Sequence, residues 1–293
     1  MKKIFCLLTF VLIFVFLVSC DNNECKIYEH SNYYELKDVT YGKNQRQTFD
    51  LNLPKNSTTG LILFIHGGYW VSGDKSSYDN EMVDWCTLKG VATCAINYRY
   101  TSIRTNYLDI LDDIYECLRK VRLLSKDYNL NLTNVMLTGH SAGAHLSLLY
   151  AYKVNMSSPI NPTCVVALSG PTDLTDENYY NDSKFNIKIT YLFSSLTNSL
   201  ITVNNHSKKT KELLTASPIN YINHNSVPTI ICHGTLDDVV PYSNAERLHD
   251  CLNKNSIYNV LIPYQNSGHN LENDQEAAEY KNLLMDEFVN RYL

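Results

Sequence analysis

One short segment limits the fold more than any other: Gly139-His140-Ser141-Ala142-Gly143, set between an apolar run over 135–140 and a helical pattern after it. A chain that passes from strand to helix in so few residues must turn sharply, and glycines two places either side of the serine remove side chains that would block the turn. The spacing predicts a strand, a tight elbow that lifts the Ser141 hydroxyl above the sheet, and a helix starting with an unpaired N–H on Ala142. A GxSxG on a surface loop would carry no such meaning. The apolar flanks argue against that reading.

Elsewhere the chain repeats the same unit. Runs over 61–66, 91–98, 135–140, 165–170, 229–234 and 259–264 are short, continuously apolar or β-branched, and end at turn residues, as strands buried on both faces do. Between them Leu111, Ile114, Leu118 and Val121 recur at helical spacing, Leu146 and Leu149 follow the elbow, and the segment from Asp274 also reads as helix. The expected class is α/β: a mostly parallel central sheet flanked by helices. At 293 residues one such domain is large but within the range of single-sheet enzymes. The stretch 175–217, rich in Asn, Ser, Thr and Tyr, is too long for an ordinary connection. It is a candidate lid, and a peripheral insertion without a role is the competing reading.

The N-terminus follows a different logic. Lys2 and Lys3 precede an apolar stretch over 4–18 broken only by Thr9, then Ser19 and Cys20. This is the pattern of an export signal over 1–19. Leu17-Val18-Ser19-Cys20 resembles a bacterial lipobox, which implies lipidation of Cys20, a cell-envelope location and membrane attachment. An ordinary cleaved signal and an uncleaved anchor are the alternatives, and all three place the body outside the cytoplasm. Residues 20–40 read as a polar tether and the folded domain as 41–293.

Charge and cysteine content exclude other partners. A net charge of -5 without a Lys/Arg block gives no footprint for nucleic acid. Of nine cysteines, removing Cys6 and Cys20 leaves an odd seven with no CxxC, and Cys94, Cys164 and Cys232 sit in apolar runs. Buried thiols are expected in preference to a disulfide framework. No HExxH or paired-His spacing is present, so neither a metal nor another cofactor is implied.

A serine nucleophile on such an elbow needs a carboxylate and a histidine later in the chain, in that order. His269, in Asn266-Ser267-Gly268-His269-Asn270, follows the last strand and is the expected base. His66-Gly67-Gly68-Tyr69-Trp70 follows the first of the six strands, where glycines let backbone N–H groups approach a substrate carbonyl. His66 reads as architectural there. Aspartates stand in late turns at Asp237 and Asp238, with Asp173 as a further candidate acid.

Together these motifs resemble the α/β-hydrolase fold esterases of the bacterial feruloyl-esterase-like and arylformamidase-like branch. The resemblance rests on HGGYW with Ser72-Gly73-Asp74-Lys75, on Asn97-Tyr98-Arg99-Tyr100, on GHSAGAH through His145, and on Ser217-Pro218 before 233–241. It implies Asp237 as the acid, from its spacing to His233 and to Val240-Pro241, with Ser141 and His269 completing a triad. It also implies an oxyanion hole from Gly67, Gly68, Tyr69 and Ala142. The implied activity is hydrolysis of carboxylic esters, including acetyl or feruloyl groups on polysaccharides. Arylformamidase is the enzymatic alternative and a non-catalytic binding protein the other. Tyr69, Trp70, Tyr179 and Tyr180 are candidates for an aromatic wall.

Overall fold

A computed structural model describes residues 25–154, 157–181 and 186–293. The expected signal over 1–19 and Cys20 lie outside the described residues. Among the described residues nine strands, numbered in chain order from β1 (Lys26–Glu29), β2 (Tyr33–Thr40) and β3 (Thr48–Pro54), form one sheet in the order β1-β2-β3-β5-β4-β6-β7-β8-β9. The last six in that order run parallel: β5 (Ala92–Asn97), β4 (Gly60–Ile65), β6 (Asn134–His140), β7 (Asn161–Leu168), β8 (Thr229–Gly234) and β9 (Asn259–Tyr264). These are the six runs read from the sequence, and the architecture is the expected α/β-hydrolase fold.

Their unbroken hydrophobicity has a direct cause. In β4, Leu61, Leu63 and Ile65 enter one core cluster while Ile62 and Phe64 enter the other, since successive side chains leave opposite faces of a strand. The first cluster holds Ile110, Ile114 and Leu118 of α2 (Tyr107–Asp127), Leu146 and Leu149 of α3 (Ala142–Lys153), and Leu248 of α7 (Ser243–Lys254). The second holds Met82 of α1 (Asp79–Lys89) and Leu284, Met285 and Phe288 of α8 (Gln275–Tyr292). Helices therefore cover both faces. α2 starts at a capping box in which Asn106 accepts from Leu108 N–H and Asp109 accepts from Asn106 N–H.

The segment read as a tether is, from Lys26 onward, part of the sheet. β1 (Lys26–Glu29), β2 (Tyr33–Thr40) and β3 (Thr48–Pro54) extend it antiparallel beyond β5. A bulge hid β2 from the alternation rule. The register shifts between Leu36 and Val39, with Asp38 at φ 57°, so the buried positions Tyr33, Leu36 and Val39 fall three apart instead of two. The intervening Glu35, Lys37 and Asp38 made the stretch look like polar linker. Residues 175–217 contain α4 (Asn178–Asn181), α5 (Asn186–Thr197) and α6 (Thr210–Thr215). α5 turns Ile189, Leu192, Phe193 and Leu196 into the core at helical spacing.

Candidate active site

The carboxyl ends of β4, β6, β8 and β9 carry the loops that hold the candidate residues, as is usual for open parallel sheets. Ser141 lies between β6 and α3 with φ 56° and ψ −119°, a conformation costly for a residue with a Cβ. Its surroundings enforce the turn. A Cβ on Gly143 would run into the Ile65 carbonyl, and one on Gly139 would overlap that carbonyl and lie 2.6 Å from the Gly143 carbonyl carbon. Ser141 N–H donates to Leu168 carbonyl at 2.8 Å, and the Ser141 carbonyl accepts from His145 N–H at 3.1 Å. Ala142 opens α3, so its N–H is one of the unpaired donors at a helix start.

Asp237 and His269 meet across the turns after β8 and β9, with His269 Nδ1 2.8 Å from Asp237 Oδ2. The carboxylate is wholly enclosed. Oδ1 accepts from Val239 and Val240 N–H at 2.8 and 2.9 Å, and Oδ2 lies 3.2 Å from His233 Nε2, which also approaches Val240 carbonyl at 3.0 Å. Burial by itself would raise the Asp237 pKa. Hydrogen bonds from His233 and His269 outweigh it and hold the carboxyl well below the usual carboxylate range. A charged acceptor at Oδ2 keeps the His269 proton on Nδ1 and leaves Nε2 with a free lone pair. Asp238 is exposed, and Asp173 is engaged elsewhere, by Arg247 at 2.5 Å and by Thr175. Only Asp237 of the three is joined to His269.

His140 links this pair to the elbow. Its Nε2 donates to His269 carbonyl at 2.7 Å and the two rings lie 4.8 Å apart, which brings His269 against the residue preceding Ser141. Burial lowers the His140 pKa despite that carbonyl. Sequence reasoning gave His140 and His233 no separate role. The available signal was position, one directly before the serine and the other four residues before the acid.

On the other side, the loop 66–70 closes on Ser141. A Cβ on Gly67 would lie 2.8 Å from His140 carbonyl and 3.5 Å from Ser141 Cβ, so only glycine permits that approach. Gly68, Tyr69 and Trp70 all have positive φ, at 104°, 57° and 61°, and Val71 and Ser72 N–H both donate to Gly68 carbonyl. His66 Nδ1 donates to Gly67 carbonyl at 2.7 Å, leaving Nε2 to accept from Arg46 at 3.0 Å. With both nitrogens occupied, a stacked Tyr98 at 4.2 Å, and burial pushing its pKa down to about 4, His66 is a neutral structural group.

Of the four residues named for an aromatic wall, Tyr69 is half-buried and the other three are packed inside the fold. Trp70, Tyr179 and Tyr180 are buried at 2 %, 0 % and 1 % exposure, and Tyr180 stacks on His206 at 3.9 Å. A groove of about 880 Å³ lies instead on the outer side of α5, lined by Val71, Ile103, Tyr191 and Leu200 among others, and Ser141 is not part of its wall. Among the described residues no group of three or more His, Cys, Asp or Glu is arranged to hold a metal ion.

The BD-FAE family profile matches residues 49–252. The probable carboxylic ester hydrolase LipM of Mycobacterium tuberculosis is 25% identical over 267 residues, covering 85% of this chain and 59% of the relative. Esterase LipC of the same organism is 24% identical and covers 75% of this chain and 56% of its own. The chain thus spans less than two thirds of the length of these curated relatives. Kynurenine formamidase of Danio rerio is 30% identical over 118 residues, 39% of this chain and 38% of the relative. Among solved structures, esterase B from Lactobacillus rhamnosis aligns with TM-score 0.70 at 19% identity, covering 89% of this chain and 86% of that one. A truncated carbohydrate esterase from gut microbiota aligns at 0.69 and 20% identity, covering 88% and 96%. These likenesses bear on the fold.

Proposed function

The chain belongs to the BD-FAE family of esterases, and on that premise we propose that it is a serine carboxylesterase with Ser141 as nucleophile, His269 as base and Asp237 as acid. The observation that carries the reading is the enclosed Asp237–His269 pair, at 2.8 Å, tied through His140 to a serine held on a strained elbow. Catalysis begins when His269 Nε2 takes the Ser141 proton as the hydroxyl oxygen attacks the ester carbonyl. The oxyanion that forms is met by Ala142 N–H and by N–H groups of the loop carrying Gly67, Gly68 and Tyr69, which are preorganised in the resting protein. Asp237 stabilises the imidazolium. His269 then protonates the leaving alcohol, and water, activated by the same imidazole, releases the acid from the acyl-serine.

The substrate proposed is a small acyl ester outside the cytoplasm, with acyl groups on polysaccharides as the leading class. The carbohydrate esterase named among the structural neighbours is consistent with that class. The N-terminal signal with Cys20 as lipid site is the proposed route out and the proposed membrane attachment. A second reading, arylformamidase, is favoured by the partial match to kynurenine formamidase. Hydrolysis of p-nitrophenyl acetate and butyrate, compared with N-formylkynurenine, separates the two. Faster turnover of the esters, lost in Ser141→Ala, is the expected result; preference for the formamide would replace the ester reading by the second.

A further inference from the structure

His145 lies one helical turn after Ser141 on α3, is fully buried, and uses both ring nitrogens. Trp70 Nε1 donates to its Nδ1 at 3.2 Å, and its Nε2 donates to Ala216 carbonyl at 2.8 Å. An indole N–H can only donate and a carbonyl can only accept, so the tautomer is fixed. Burial pushes the His145 pKa down to about 4, which keeps the ring neutral at ordinary pH.

Trp70 is the last of three successive positive-φ residues in the loop that faces Ser141. Two of them carry side chains, and such backbone strain persists only where the surroundings hold the residue in place. Those surroundings converge on Trp70. Its N–H meets His145, its carbonyl accepts from Thr101 N–H at 2.9 Å, and its ring packs edge-on to His145 at 5.1 Å and against Phe193 of α5 at 6.3 Å. Thr101 Oγ1 in turn accepts from Ser195 of α5 at 2.8 Å.

The proposed oxyanion hole has two halves from distant parts of the chain, Ala142 N–H at the start of α3 and the N–H groups of the 66–70 loop. We infer that His145 is the positioning residue that sets the register between these halves, because the loop docks through Trp70 onto the helix that carries Ala142. Through Ala216, the same ring fixes the end of the 175–217 insertion to that helix. This inference rests on the oxyanion reading above.

The test uses the full chain with Trp70→Phe, which keeps a ring and removes the N–H, with His145→Leu, and with the double variant. Two quantities are measured: kcat/KM for p-nitrophenyl acetate, and inhibition by a trifluoromethyl ketone whose hemiketal oxyanion occupies the hole. A misplaced donor is expected to lower kcat about 10- to 100-fold with little change in KM, less than the loss from deleting a donor outright. Ketone affinity should fall by the same factor, and the double variant should be no worse than the poorer single one. A folded Trp70→Phe protein with kcat/KM within about threefold of the parent, or a loss of turnover with ketone affinity intact, overturns the inference. Turnover that survives Ser141→Ala overturns it by removing the premise, which separates that failure from the first two.

Discussion

Replacing Asp237 by Asn keeps the side-chain shape and changes one atom, so its effect can be worked from the four hydrogen bonds around the carboxylate. Two survive, since Asn Oδ1 still accepts from Val239 and Val240 N–H. The other two involve Oδ2, where an amide NH₂ would face His233 and His269 with hydrogens of its own. His269 relieves that clash by moving its proton to Nε2, the nitrogen that must be free to take the Ser141 proton. The expected loss in kcat is about 10³–10⁴, or about 4–5.5 kcal/mol in the barrier, with KM changed little. The assay is p-nitrophenyl acetate turnover, paired with thermal melts against pH. Because the folded Asp237 pKa lies below its unfolded value, the carboxylate contributes stability that is present above about pH 4 and lost as pH falls toward the folded value. The melting-temperature gap between parent and variant should therefore narrow below about pH 4. A folded Asp237→Asn protein with kcat within tenfold of the parent would refute the assignment of His269 and Asp237 as a coupled pair.

Leu36→Ala should cost about 2–5 kcal/mol in urea unfolding, because Leu36 is buried in the sheet; a change within about 0.5 kcal/mol would mean that residues 26–40 are a tether after all. Gly143→Ala should destabilise the protein by at least about 1–3 kcal/mol, read as lower soluble yield and melting temperature, since the new methyl meets the Ile65 carbonyl. Asp238→Asn, at an exposed position beside the buried acid, should leave kcat within about twofold. The mature chain purified from a bacterial host should begin at a diacylglyceryl-modified Cys20, read by mass spectrometry of its N-terminal peptide; an unmodified Cys20 would refute lipid attachment at that residue.

The parallel part of the sheet was legible because β4, β5, β6 and β8 are buried on both faces and β7 nearly so, which leaves unbroken apolar runs, while β9 at the edge is apolar in sequence but only partly buried. The elbow was legible because Gly139 and Gly143 are required by contacts with Ile65 that any β-carbon would violate. In the antiparallel part, the bulge broke the period in β2, whereas β3 was missed although Phe49, Leu51 and Leu53 alternate with polar residues and are fully buried. At the site, residue order located Ser141 and His269, but the choice of Asp237 over Asp238 rested on resemblance. The physical difference between them is burial, with Asp237 at 5 % exposure and Asp238 open to solvent, and that depends on how the turn after β8 folds. His145 stood within the GHSAGAH motif, but the motif said nothing of what its ring would meet. Its partners Trp70 and Ala216 are remote in sequence, and only the folded chain brings a donor and an acceptor to its two nitrogens.

The central claim is that Ser141 is the nucleophile, and intact mass spectrometry after exposure to a fluorophosphonate measures it directly. The account predicts one covalent adduct, mapped to the peptide containing Ser141, with loss of ester turnover in proportion to labelling. The adduct should be absent in Ser141→Ala and slow to form in His269→Ala. An adduct on another residue, or ester turnover that continues undiminished after Ser141 is fully labelled, would contradict it.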